Sequence, residues 1–283
     1  MKPNHNIAFA FWLNLVFALV EFVGAFFTNS VAIASDAIHD LGDSFALGSS
    51  WYLERYSGKG RDQKFSFGYK RFSLLGAFIN CLVLMVGSLL MLREILPRLF
   101  HPQVVHADGM IFLAVIGIAF NGFAAFKLHH GHSHNENVLS LHFLEDVLGW
   151  VAVLVVACAM KLGDYAFLDP LLSLAIAGFI LWNAGKRLWV IMPIFLQSIP
   201  DDLDLKKVEQ LIKNHEGVIS VHDTHVWSLD GHEHVLSTHV TVSYGLGKEK
   251  INLLKNRIKQ ELNTLGIEHA TLELEFEGES REL

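Results

Sequence analysis

Ser35-Asp36-Ala37-Ile38-His39-Asp40-Leu41-Gly42-Asp43 stands inside an otherwise apolar segment at 30–52, and His142-Phe143-Leu144-Glu145-Asp146 stands inside a second one at 138–160. Each contains the spacing His-x-x-x-Asp, as His39/Asp43 and His142/Asp146. A four-residue step along a helix turns about 40° and rises about 6 Å, so each pair sets two ligand-capable side chains on one helix face. Ionisable groups at bilayer depth cost about 2.5 kcal/mol or more each, so they stand there with a partner or a task. Two such helices supply four ligands, and the partner they predict is a divalent cation.

The surrounding composition is that of an integral membrane protein: 52% of residues are hydrophobic and 18% charged, with a mean hydropathy of +0.36. Apolar stretches at 7–28, 30–52, 72–96, 109–126, 138–160 and 168–185 can each cross a hydrocarbon core, which takes about 20 helical residues. The first lacks a small-residue cleavage site and is followed at once by the second, so it reads as a retained span rather than a signal peptide. Six crossings place both termini on one side. The loop after the second span carries Arg55, Lys59, Arg61, Lys64, Lys70 and Arg71, the loop after the fifth has only Lys161 at its edge, and Lys186 and Arg187 follow the sixth. Lys and Arg near span ends are retained in the cytoplasm, so both termini are expected there. Arg93 and Arg98 run against this rule, with Glu94 beside them.

Two domains are expected: a transmembrane domain at 1–199 with a His-rich cytoplasmic loop at 127–137, and a cytoplasmic domain at 200–283. Residues 200–283 hold 16 Asp and Glu against 9 Lys and Arg, so the whole formal charge of −7 lies there. An acidic surface suits cations and argues against a nucleic-acid partner, which requires a basic face. Apolar residues recur at helical spacing over 203–214 and 251–265 and alternate over 220–228, 234–243 and 270–277. The order predicted is α-β-β-α-β, an α+β domain with two helices on one face of a small sheet. So small a domain is helped by dimer contacts.

These features together, with Val221-His222-Asp223-Thr224-His225-Val226-Trp227 in the tail, resemble the cation diffusion facilitators, and most closely their zinc-transporting branch. The resemblance runs from the first span to the last strand. It implies a homodimeric antiporter that moves Zn²⁺ out of the cytoplasm in exchange for protons, with the transport ligands at His39, Asp43, His142 and Asp146. It also implies zinc or cadmium rather than manganese, because a His opens the first pair, and a metallochaperone-like tail. In the tail, His222, His239 and Glu275 match one family metal site, and His225 and His269 match a second, looser one. Ser73 departs from the acidic residue that relatives commonly carry in that stretch.

The chemistry stands on the residues alone. Two imidazoles and two carboxylates suit the tetrahedral preference of Zn²⁺, and two aspartates with Zn²⁺ sum to zero charge, compatible with low dielectric. Once emptied, the same site holds unpaired carboxylates. Protons are therefore expected to replace the departing metal, which is the physical root of antiport. Asp36, seven residues before Asp43, is read as a second-shell partner of His39 or an alternative ligand. Asp40 is expected to line the access path or bond a neighbouring helix. Glu21, Asn14 and Asn121 also lie at membrane depth and are read as helix packing or a water-filled vestibule in preference to a direct transport role.

His129, His130, His132 and His134 form a tract that can recruit metal to the pore or act as a polar linker. In the tail, alternation places His222 and His225 on opposite faces of a regular strand, which fits two metal sites better than one. His232 and His234, in a turn, read as solvent-facing or ligating alike. Zinc bridging two tails would act as a sensor biasing the pore. Cys81 and Cys158 lie within spans and suggest packing rather than a disulfide. No phosphate-binding glycine loop is present, so ATP does not drive the protein. An intramembrane zinc hydrolase would need an open coordination position and a His-Glu-x-x-His-type base, so an enzyme is not expected. A metal sensor without flux is the remaining alternative. The compact chain leans toward a bacterial inner membrane.

Overall fold

The computed structural model describes residues 5–129 and 134–278. Six long helices come first: α1 (His5–Thr28), α2 (Val31–Ser57), α3 (Arg71–Phe100), α4 (Ala107–His129), α5 (His134–Leu162) and α6 (Leu168–Phe195). They are followed by α7 (Leu205–Lys213), β1 (Val218–Ser228), β2 (His234–Val242), α8 (Lys248–Thr264) and β3 (Ile267–Phe276). The chain divides into two compact units, one from the N-terminus to Tyr56 with Leu75–Leu188, the other Ser57–Leu74 with Trp189–Leu283.

The first unit has the inverted polarity of a membrane body. Phe26, Phe112, Phe126, Leu148, Val155 and Phe179 point outward, while Asn14, Glu21, Asp40, Asn121 and Asp146 are buried. Among the described residues, Phe11–Thr28, Arg71–Phe100, Ala107–Leu128, Ser140–Leu162 and Leu168–Phe195 are long and apolar enough to cross a membrane. The long helix outside that set is α2, which carries Asp36, Asp40 and Asp43 within two turns. The helices also outrun their apolar stretches. α6 continues to Phe195 because Lys186 and Arg187 favour helix as well as any apolar residue, and the Lys186 ammonium lies 5.1 Å over the Trp182 ring.

α4 and α5 form a close pair around Trp150. The indole lies directly on Gly117, where any Cβ would overlap it, and Phe17 from α1 meets both Trp150 (5.7 Å between centroids) and Phe120 (4.7 Å). α2 is fixed at its start and along its length. Asn29, in the left-handed region at φ 55°, closes α1 as an αL residue does. Asp169 of α6 then caps the new helix, accepting from Ser30 Oγ at 2.5 Å and Val31 N at 2.9 Å. Such a carboxylate satisfies exposed N–H groups and opposes the positive end of the helix dipole. Farther along, Asn14 Nδ2 donates to the Asp40 carbonyl at 2.9 Å and to Ser44 Oγ at 3.2 Å.

The second unit contains a three-stranded sheet in the order β1-β2-β3, with β1 and β2 antiparallel and β2 and β3 parallel. One core joins both helices to a single sheet face: Val208 and Ile212 of α7, Leu254, Ile258 and Leu262 of α8, and Leu236, Val240 and Leu272 from the strands. The opposite face carries the polar side chains of the site. The segment Ser57–Leu74 is ordered around Asp62, whose Oδ1 accepts from the N–H groups of Lys64 (2.8 Å) and Phe65 (2.7 Å) and whose Oδ2 accepts from the Tyr69 hydroxyl (2.6 Å). These donors hold the Asp62 carboxyl below its ordinary value, the Tyr69 hydroxyl most of all. The segment meets the rest of its unit through an ion pair between Lys70 and Glu233 and an edge contact of Phe67 with His269 at 5.8 Å.

Candidate metal centres

In the first unit, α2 and α5 bring the two pairs together. His39 Nε2 stands 3.5 Å from Asp43 Oδ2, which stands 3.4 Å from His142 Nε2, and His142 Nε2 is 3.7 Å from Asp146 Oδ2. The two imidazole centroids are 6.4 Å apart with planes at 80°. Tetrahedral zinc with bonds of about 2.0–2.2 Å has ligand–ligand edges of about 3.3–3.6 Å, close to these separations. The contacts are not hydrogen bonds: Asp43 Oδ2, His142 Nε2, Asp146 Oδ2 and His39 Nδ1 are buried with no hydrogen-bond partner. Buried polar atoms left so are costly unless a ligand or proton satisfies them.

His39, Asp43 and His142 border a cavity of about 70 Å³ that is also lined by Glu145 and, from α6, by Asn183 and Arg187. Sequence reasoning passed over Asn183 and used Arg187 only as an orientation signal. Their four-residue spacing, which puts both on one face of α6, was the available clue. Asp36 is buried but does not hold the His39 ring, whose Nδ1 is unpartnered. Asp40 is tied to α1 through its carbonyl and Asn14.

In the second unit, His222, His239 and Glu275 each offer a ligand atom, and the three atoms lie within 4.8 Å of one another. His239 Nδ1 is 2.6 Å from Glu275 Oε1, and His222 Nε2 is 3.3 Å from Glu275 Oε2. The hydrogen bond to Glu275 holds the His239 imidazole above its ordinary histidine value, with Glu273 and Asp223 adding to the effect. The donor set, two imidazoles and a carboxylate, fits zinc with one position left over.

A family model of the cation efflux transmembrane domain matches residues 7–196, and one of the cation efflux protein cytoplasmic domain matches residues 200–275. The chain belongs to the cation efflux family. This cation efflux protein is 29% identical to the cadmium, cobalt and zinc/H⁺–K⁺ antiporter of Bacillus subtilis (strain 168), over 100% of this chain and 94% of that one. It is 30% identical to the metal cation efflux system protein CzcD of Cupriavidus metallidurans and to the zinc transporter ZitB of Escherichia coli (strain K12), in each case over 96% of this chain and 87% of the relative.

The tail of this cation efflux protein departs from the sequence reading at three places. β1 is not regular between His222 and His225: it gains one residue against β2, and Asp223 takes φ 49°. Such a bulge shifts the alternation by one. His222 faces His239 and His225 faces Ser237, so both histidines project from the same side of the sheet instead of opposite sides. His225 Nε2 pairs with Asp223 Oδ1 at 3.0 Å and His269 stands at the Phe67 ring, and among the described residues neither belongs to the group of His222, His239 and Glu275. His234 is buried, with Nε2 3.2 Å from Asp202 Oδ2, while His232 is exposed. Of the loop histidines, His130 and His132 lie outside the described residues, and His129 and His134 are described only as backbone at the ends of α4 and α5.

Proposed function

We propose that the protein exports Zn²⁺ from the cytoplasm in exchange for protons, with His39, Asp43, His142 and Asp146 as the transport ligands. The observation that carries this reading is the convergence of two His-x-x-x-Asp pairs at ligand-to-ligand spacing, with Asp43 Oδ2, His142 Nε2 and Asp146 Oδ2 unpartnered. The names of the relatives, a zinc transporter and a cadmium, cobalt and zinc/H⁺–K⁺ antiporter, support zinc as a substrate and the proton as a counter-ion. α2 is the sixth crossing, and its carboxylates sit within the bundle rather than against lipid. The four ligands fit Zn²⁺ as cargo: bound, it neutralises Asp43 and Asp146; gone, protons take its place. Alternating exposure to the two sides converts this competition into exchange.

In this reading the protein is a homodimer in a bacterial inner membrane with both termini in the cytoplasm, and the domains divide near residue 199. The second family model, ZT_dimer, is named for dimerisation. His222, His239 and Glu275 form a cytoplasmic zinc site that senses metal and biases the pore, while the tract from His129 to His134 recruits it. No part of this requires an enzyme. The test is zinc flux into proteoliposomes under an imposed pH gradient, with internal pH recorded, for wild type beside Asp146→Ala. Zinc movement matched by counter-moving protons and absent from the variant is expected. Zinc binding without flux would favour a sensor, and flux indifferent to pH would remove the proton.

A further inference from the structure

Glu21 lies in the middle of α1 and is fully buried, and neither carboxyl oxygen has a hydrogen-bond partner. The charges acting on it are those of Asp36 and Asp40 from α2 and of Asp146 from α5, with the Asp40 carboxyl and the Trp150 indole as polar neighbours. α4, which packs on α1 through Phe120, has no titratable side chain between Asp108 and Lys127. α1 contains no Lys or Arg. Every titratable neighbour named is thus another acid. Removing one ion from water without an opposing charge is costly, and placing it among like charges costs more. A buried carboxyl so placed is occupied, by a proton or by a cation. A proton needs no coordination shell, whereas a hard metal ion takes about six oxygen ligands.

Asn14 lies seven residues before Glu21, on the same helix face. Its amide bonds the Asp40 carbonyl and Ser44 Oγ, while its own Oδ1 and Asp40 Oδ2 are buried without partners. Glu21 therefore ends a polar strip that runs between α1 and α2 through Asp40, Asn14 and Ser44. We infer that Glu21 is a proton-binding site of the exchange, separate from the metal ligands: it holds a proton when the metal site is empty and releases it as Zn²⁺ arrives. The coupling is electrostatic, because a cation at the four ligands lowers the free energy of the ionised carboxylate. The proton leaves to water along the strip, and no other bond changes.

This inference rests on the zinc/proton reading above, and its test separates the two. Purified wild type, Glu21→Gln and Glu21→Asp are compared for zinc bound, protons released per zinc, and flux against pH. Glu21→Gln is expected to bind zinc with unchanged stoichiometry, to release about one proton fewer per zinc, and to show a flatter pH profile, with Glu21→Asp restoring both. A wild-type proton count in Glu21→Gln overturns the inference. So does a wild-type flux driven by potassium that Glu21→Gln alone abolishes, since the site would then hold a metal cation. If wild type releases no protons with zinc, the exchange reading fails, and the infrared carbonyl band of a protonated buried carboxylic acid decides Glu21: its loss in Glu21→Gln supports the protonated residue and its persistence refutes it. Should Glu21→Gln not fold, a shift of that band in Glu21→Asp supports the inference and an unmoved band overturns it.

Discussion

In the membrane centre, imidazole and carboxylate atoms stand 3.4 to 3.7 Å apart, and Asp43 Oδ2, His142 Nε2 and Asp146 Oδ2 have no hydrogen-bond partners. In the cytoplasmic centre the same kinds of group already satisfy one another, with His239 Nδ1 at 2.6 Å from Glu275 Oε1. Both donor sets suit zinc, but they differ in what holds them when metal is absent. The candidate membrane ligands have the surrounding helices for support: Asp169 caps α2 and Asn14 braces it. The cytoplasmic ligands support one another, and metal there must displace a charge-assisted hydrogen bond. A site that is costly to leave empty suits exchange of one cation for another. A site that is stable without metal suits a response to concentration.

The largest expected effect breaks the membrane side of this comparison. Asp43→Ala removes the oxygen that faces both His39 and His142, and zinc flux should fall by roughly two orders of magnitude or more, since even residues supporting a ligand contribute about 10–100-fold in affinity. Retained flux in a folded dimer would remove the site. His39→Asp keeps four ligands but replaces imidazole by carboxylate, so zinc transport should drop and the Mn²⁺-to-Zn²⁺ ratio should rise about tenfold or more, as ligand hardness predicts. Competition flux with both metals measures it.

On the cytoplasmic side, His222→Ala should lose one bound zinc per chain by calorimetry while a reduced flux persists. Complete loss of flux in the folded variant would make the tail part of the transport path. The smallest effect concerns the segment around Asp62. Its folded-state carboxyl is held below the unfolded value, so its contribution to order is fully present above about pH 3.9 and is lost as pH falls through the lowered value. Hydrogen exchange at the Phe65 amide should quicken over that acid range in wild type and show no such step in Asp62→Asn.

Much of the candidate membrane site's geometry was legible because helical periodicity is rigid: His39/Asp43 and His142/Asp146 need only a helix to share a face. The same rigidity made α2 readable as part of the bundle from its motif, where composition sets it apart from the five apolar helices. The sheet was less legible. One extra residue at Asp223 reversed the expected facing of His225, and a positive φ at an aspartate leaves little trace in a strand pattern. Arg187 borders the candidate metal cavity because α6 continues past the point where its apolar run stops, a boundary that lipid thickness sets for composition but not for hydrogen bonding, whereas Asn183 lies inside that run, where a single amide reads as packing. His234 is buried and its ring meets Asp202, thirty-two residues away, and such a long-range pair has no local signature.

The most direct measurement of the central claim is zinc X-ray absorption on full-length protein carrying His222→Ala and His239→Ala, so that the tail centre contributes no signal. Four nitrogen and oxygen neighbours at about 2.0–2.1 Å, two of them imidazoles, are expected from His39, Asp43, His142 and Asp146. A six-coordinate shell of oxygens, or a shell with no imidazole, would contradict the site.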